Sequence, residues 1–207
     1  ILDVPYNSFY GLKARDFLTN EVRSVTAKFE RQLLPNVTLR NVTRYAETLN
    51  DYVVTNPGDG GNITSTPSAS AGVRLINGEY WMKRGTKSRW NPTDTLANVT
   101  EIFGTFETGS LKHSFDLGLE LTSETNENAS YTVTTTGGSA CPAPLVGFDC
   151  TPVYNPNPND PWTGTIVKGL VGESTTKTTG VFAFDSIAIG EQWLLNLGLR
   201  WDKYSAK

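Results

Sequence analysis

Between Tyr80 and Trp90 the chain reads Tyr-Trp-Met-Lys-Arg-Gly-Thr-Lys-Ser-Arg-Trp, the densest recognition chemistry in the sequence. Four cations (Lys83, Arg84, Lys87, Arg89) stand beside three large aromatic rings (Tyr80, Trp81, Trp90). Guanidinium and ammonium groups attract anions, and π faces attract cations and other rings, so the run can carry a binding surface. A solvated basic strand meeting surface phosphates, or a charged sheet edge, has the same composition. On a strand, alternation puts Trp81, Lys83, Lys87 and Arg89 on one face and Tyr80, Arg84 and Trp90 on the other. Only one face can meet the ligand.

Bond-making chemistry finds no support. The single histidine, His113, has no G-x-S-x-G serine and no phosphate-binding loop to accompany it. Asp59 and Asp94 would be a carboxylate pair for glycoside hydrolysis only if held ~5–9 Å apart, and nothing in the sequence does that. The reading is a binding protein, not an enzyme, with no cofactor. Cys141 and Cys150 with one histidine cannot build a structural zinc site, so no metal site is expected. A disulfide closing this short loop is favoured over two free thiols and implies an oxidising compartment. The loop continues into Asn155-Pro156-Asn157-Pro158-Asn159-Asp160-Pro161-Trp162, whose prolines stiffen it, as a gate over a binding site or as protection against proteases. N-x-Ser/Thr triplets begin at Asn36, Asn41, Asn62, Asn98 and Asn128, but Asn41 and Asn98 fall inside expected strands.

The elements that must carry these residues are strands. Leu111, Phe115, Leu117, Leu119 and Leu121 alternate with Lys112, Ser114, Asp116, Gly118 and Glu120. Trp193, Leu195, Leu197, Leu199 and Trp201 alternate with polar or small residues in the same way, apart from Leu194. Period-two alternation of this regularity gives one apolar and one wet face. Six strands are expected, over 20–33, 37–55, 80–107, 111–130, 177–189 and 192–204, and no sustained helical periodicity appears. Tight turns join them at Leu34-Pro35-Asn36, Thr108-Gly109-Ser110 and Gly190-Glu191, whereas 56–79 and 131–176 read as long loops. Short turns at one end, long loops at the other and strands far beyond the usual 5 or 6 residues match a transmembrane barrel better than a soluble sandwich. From Trp193 to Trp201 is about 26 Å along the strand and roughly 19 Å along the membrane normal after tilting, close to the spacing of two aromatic girdles. Tyr45, Phe106 and Tyr204 would join those girdles, while Arg40, Arg44, Glu120 and Arg200 line the wet face. No run approaches the ~18 apolar residues of a spanning helix. With 18 basic and 21 acidic residues and a net charge of −3, there is no basic surface for nucleic acid.

Several segments resemble the barrel of TonB-dependent outer-membrane siderophore receptors, most of all the catecholate branch. They are Asn7-Ser8-Phe9-Tyr10-Gly11-Leu12 with Arg15-Asp16-Phe17, Leu39 to Tyr45, Asp51 to Pro57, Thr108 to Ser114, Asn155 to Pro158, Glu191-Gln192-Trp193 and Leu197 to Asp202. The resemblance implies an all-β fold of antiparallel up-and-down transmembrane β-barrel strands with short periplasmic turns and long extracellular loops. It implies a Gram-negative outer membrane with its lipid and lipopolysaccharide, a ferric siderophore as cargo and the only source of iron, and TonB acting through a plug domain. With about six strands and no plug, 1–207 is expected to be a fragment of the barrel domain, a partial barrel. In that setting Tyr80, Trp81, Lys83, Arg84, Lys87, Arg89 and Trp90 become candidate siderophore contacts. The alternatives are a receptor of the same type for cobalamin or a glycan, and a secreted disulfide-stapled β-sandwich that binds carbohydrate.

Overall fold

A computed structural model describes residues 3–58, 73–138, 141–143 and 149–207. These form ten strands and no helix: β1 (Phe17–Leu34), β2 (Val37–Pro57), β3 (Val73–Ile76), β4 (Glu79–Thr108), β5 (Leu111–Asn128), β6 (Tyr131–Gly138), β7 (Cys150–Pro152), β8 (Trp162–Lys168), β9 (Gly172–Ile189) and β10 (Trp193–Ala206). The six expected strands are the long ones, and they pair in the order β1-β2-β4-β5-β9-β10. β1 and β2, β4 and β5, and β9 and β10 lie side by side because turns of two or three residues leave no other geometry. Gly109 and Gly190 both take φ of 63°, a left-handed conformation that costs a residue with a Cβ about 1–2 kcal/mol.

The expected long loops are not structureless. The segment before β4 carries β3, which pairs with β4 through Asn77-Gly78, and both turn residues have positive φ, as a type I′ hairpin requires. The segment after β5 carries β6 and β8, paired as a separate two-stranded sheet, and β7, which adds to β4. Backbone amides in long connections need partners, and these short ladders supply them.

The chain divides into two compact units, one of residues 1–20, 49–91 and 128–172 and the other of 21–48, 92–127 and 173–207. Among the described residues, the first holds every buried hydrophobic one: Leu12, Val53, Ile76, Met82, Ala129, Cys150 and Val153. It also contains both long connections.

The second unit has no such core. Its apolar face is the exposed one: Leu117, Leu119 and Leu121 are 47%, 40% and 44% exposed, while Asp116, Gly118 and Glu120 behind them are partly covered. A soluble sandwich buries that apolar face, so the sandwich reading fails here. The wet face carries ion pairs between strands, Arg40 Nε to Glu101 at 2.7 Å and Arg200 Nη2 to Glu120 at 2.9 Å. Asn41 and Asn98 donate hydrogen bonds to each other across β2 and β4, which leaves no room to read them as glycan acceptors. Trp193 and Trp201 project on the apolar side of β10, 73% and 56% exposed. Tyr204 does not join them. The β9–β10 register runs unbroken from Trp193 to Ala206, so Tyr204 falls on the face of Arg200 and Asp202, a correction that follows from parity alone. Tyr45 and Phe106 are exposed at 39% and 44%.

Candidate ligand-binding site

Within the first unit, alternation along β4 turns Met82 and Arg84 inward, 5% and 3% exposed. Arg84 is the largest departure from the expected site. Its Nε donates to Tyr10 O at 3.0 Å, Nη1 to Asp160 Oδ2 at 2.8 Å and Nη2 to Asn157 O at 2.6 Å, with no exposed side-chain surface. Arg15 lies beside it. Nε of Arg15 donates to Asp16 Oδ1 at 2.9 Å, Nη1 to Asp149 Oδ2 at 3.1 Å and to Arg84 O at 3.2 Å, and Nη2 to Thr55 Oγ1 at 2.7 Å. A guanidinium out of water needs its donors matched in this way. Arg84 is therefore scaffold: with Arg15 it ties the segment 10–16, β2, β4 and the residues 149–160 together.

Asp16 completes the clamp. Burial alone raises its pKa, but hydrogen bonds from Thr55, from the Leu12 amide and from Arg15 outweigh that and hold it below the ordinary value. On the far side, Asp149 Oδ2 also accepts from Thr135 Oγ1 at 2.6 Å, and that hydroxyl accepts from Trp162 Nε1 at 2.9 Å. The β6–β8 hairpin is thereby fastened to the clamp. Near its other end, the Tyr131 hydroxyl donates to Asp51 Oδ1 at 2.8 Å and the ring meets Phe17 edge to face at 5.9 Å. Burial, then the Asp51 carboxylate, push the Tyr131 phenol up to about 12, so it stays a donor.

The three expected aromatics are also occupied. Tyr80 packs edge to face on Tyr154 at 6.2 Å. Trp81 packs on Ile76 and on the Cys141–Cys150 disulfide. Trp90 lies under Lys168 Nζ at 3.6 Å from its ring centre. Lys83 is half-buried and already engaged.

Lys87 and Arg89 remain exposed on one face of β4. The Gly58 amide donates to Lys83 O at 3.0 Å, and Gly85 stands against Asn56 O, which sets the β2–β4 pairing and places Val54 opposite Lys87 and Tyr52 opposite Arg89. Opposite residues on antiparallel strands share a face, so Tyr52 joins the two cations. The sequence carried no signal for Tyr52 because that pairing is long-range. Val54 also lines a cleft of about 410 Å³ with Phe9, Tyr10, Phe17 and Pro57. Two exposed cations, a phenol ring and an aromatic-lined cleft can bind an anionic aromatic molecule. Among the described residues, no group of three or more His, Cys, Asp or Glu is gathered for a metal ion.

The sequence profile described as TonB dependent receptor-like, beta-barrel matches residues 3–207. The chain belongs to this family. A relative of this TonB-dependent receptor barrel, the probable TonB-dependent siderophore receptor PiuA of Acinetobacter baumannii, is 32% identical over 99% of the chain and 27% of the relative. The catecholate siderophore receptor Fiu of Escherichia coli K12 is 28% identical over 97% of the chain and 24% of its own length. In structure, PiuA superposes with a TM-score of 0.81 at 30% identity, covering 99% of this chain and 28% of PiuA. The ferric-catecholate import receptor Fiu in its open form gives 0.78 at 27% identity, covering 99% and 28%. The chain thus spans about a quarter of the length of these relatives. Membership puts this TonB-dependent receptor barrel in the Gram-negative outer membrane and explains the inverted second unit, whose exposed apolar face meets lipid.

Proposed function

We propose that this chain is part of a receptor that binds a ferric siderophore, of catecholate type, and imports it across the outer membrane. Energy is relayed from TonB by a plug domain outside residues 3–207. The observation that supports this most is the likeness over nearly the whole chain to PiuA and Fiu, at 32% and 28% identity. Iron enters only within the cargo, and the role is transport, with no bond made or broken in the ligand. Lys87, Arg89 and Tyr52 are the proposed contacts, because a ferric catecholate complex is anionic and presents aromatic rings. Lipopolysaccharide and lipid surround the barrel on this reading.

The test is ligand binding by the whole receptor, followed by quenching of its intrinsic fluorescence. Lys87→Ala with Arg89→Ala should weaken a ferric catecholate siderophore at least tenfold, a loss of about 1.4 kcal/mol. Saturable binding of cobalamin or a glycan, with none of any ferric siderophore, overturns the proposal.

A further inference from the structure

Above the apolar band of the second unit, the outward face of β9 and β10 turns basic. Parity fixes which side chains are on it. Trp201 and Val181 stand opposite one another on the lipid-facing side, exposed at 56% and 42%. Every second residue beyond them keeps that side, so the pairs Lys203 and Thr179, Ser205 and Lys177, and Lys207 and Thr175 follow in order. Strand β10 leaves the tight Gly190-Glu191 turn at Trp193 and runs outward, which puts these pairs on the extracellular side of Trp201. At ~3.3 Å per residue and a tilt of ~45°, Lys203 stands about 5 Å and Lys177 about 9 Å above the level of Trp201. Hydrocarbon gives way to headgroups at the height of such a ring.

Because Lys177 is opposite Ser205, Lys203 and Lys207 are its diagonal neighbours, roughly 7–8 Å away. Three exposed ammonium groups held so close repel one another. Among the described residues none of the three is ion-paired, whereas Arg40 and Arg200 on the wet face of the same unit both are. A cleft of about 530 Å³ is lined here by Glu173, Thr175, Lys177, Ser205 and Lys207, with Glu173 its single side-chain carboxylate. The Thr175 hydroxyl is held 3.2 Å from Thr125 Oγ1, and Ser205 adds a second hydroxyl. Ammonium groups and hydroxyls around one cleft are complementary to a phosphate monoester, which carries nearly two charges and three acceptor oxygens and can bridge two lysines. Directly beneath, Trp201 and Val181 offer an apolar wall for acyl chains.

The outer leaflet of a Gram-negative outer membrane presents both features in one molecule, the phosphorylated and acylated sugar of lipid A at the base of lipopolysaccharide. We infer that Lys177, Lys203 and Lys207 form a seat for a lipid A phosphate, with the acyl chains of the same molecule lying along Trp201 and Val181. The inference does not depend on which cargo the receptor imports.

The experiment is native mass spectrometry of the whole receptor in mild detergent, offered bisphosphorylated lipid A, the same lipid A with its phosphates removed, or phosphatidylglycerol. A lysine at a membrane surface contributes enough that wild type should retain bisphosphorylated lipid A about tenfold more than either of the others, and Lys177→Gln with Lys203→Gln should abolish that preference. Lys112→Gln, on the opposite face of the sheet near the tight turns, should leave it unchanged. Equal retention of lipid A with and without phosphate by wild type overturns the seat and leaves only solvation of acyl chains. Retention of phosphatidylglycerol equal to that of lipid A overturns it in favour of general attraction for anionic lipid. So does an undiminished preference in the double variant, or an equal loss in Lys112→Gln. Should the double variant fail to fold, the wild-type comparison and Lys177→Gln alone decide the matter.

Discussion

At the residue scale, the four cations of one eleven-residue run divide into separate tasks, and burial is what divides them. Arg84 has no exposed side-chain surface, while Lys87 and Arg89, three and five positions on, stand in solvent. Removing one partner of a buried, fully bonded ion pair typically costs about 3–5 kcal/mol. Arg84→Ala should therefore loosen residues 149–161 and 3–16 together, read as faster amide exchange in both segments. Lys87→Ala and Arg89→Ala should leave that exchange unchanged and weaken ligand instead. The Asp16 carboxyl adds a pH dependence of known sign. Because its folded pKa lies below the ordinary value of about 3.9, its contribution is complete above that value and is lost as pH falls through the folded one. Amide protection of residues 10–16 and 53–57 should be flat between about pH 7 and 5 and fall below about 4, and Asp16→Asn should remove that acid-dependent step.

At the element scale, the long strands were legible because alternation is a local signal that repeats. The short ones were not. Four-residue β3 and three-residue β7 are too brief for periodicity to register, although Asn77-Gly78 is a hairpin signature that could have revealed β3. The eight residues of β6 and the seven of β8 are separated by 23 residues, two of which, Asp149 and Asp160, are held by Arg15 and Arg84, and no local period encodes so distant a pairing. Turn chemistry is separately testable at Gly109. A Cβ there meets nothing within 4 Å, so any cost of Gly109→Val is backbone strain from φ of 63°. A loss of about 1–2 kcal/mol is expected in denaturant unfolding, with Gly109→Asn milder because asparagine tolerates the left-handed region.

At the scale of the whole molecule, the second unit has its apolar and polar faces reversed relative to a soluble sheet, and a single substitution can report it. Leu197, midway between Trp193 and Trp201, is 54% exposed. On a soluble protein, Leu197→Arg at such a position changes stability by less than about 0.5 kcal/mol. On a barrel strand near the bilayer midplane it costs about 2–4 kcal/mol. Refolding of the whole receptor into lipid vesicles, with unfolding followed by denaturant titration, separates the two outcomes.

The sequence by itself determined the six long strands, the tight turns, the two-faced character of β5 and β10 and the concentration of cation and aromatic chemistry in 80–90. Each of these is written in neighbours a few residues apart. Tertiary structure alone decided which cations stay free, that Tyr52 stands opposite Arg89, and that Arg15, 134 positions from Asp149, clamps the first unit. It also decided which face of the second unit is uncovered. Those facts depend on what a side chain meets across the fold, and no local period encodes the partner of a buried charge.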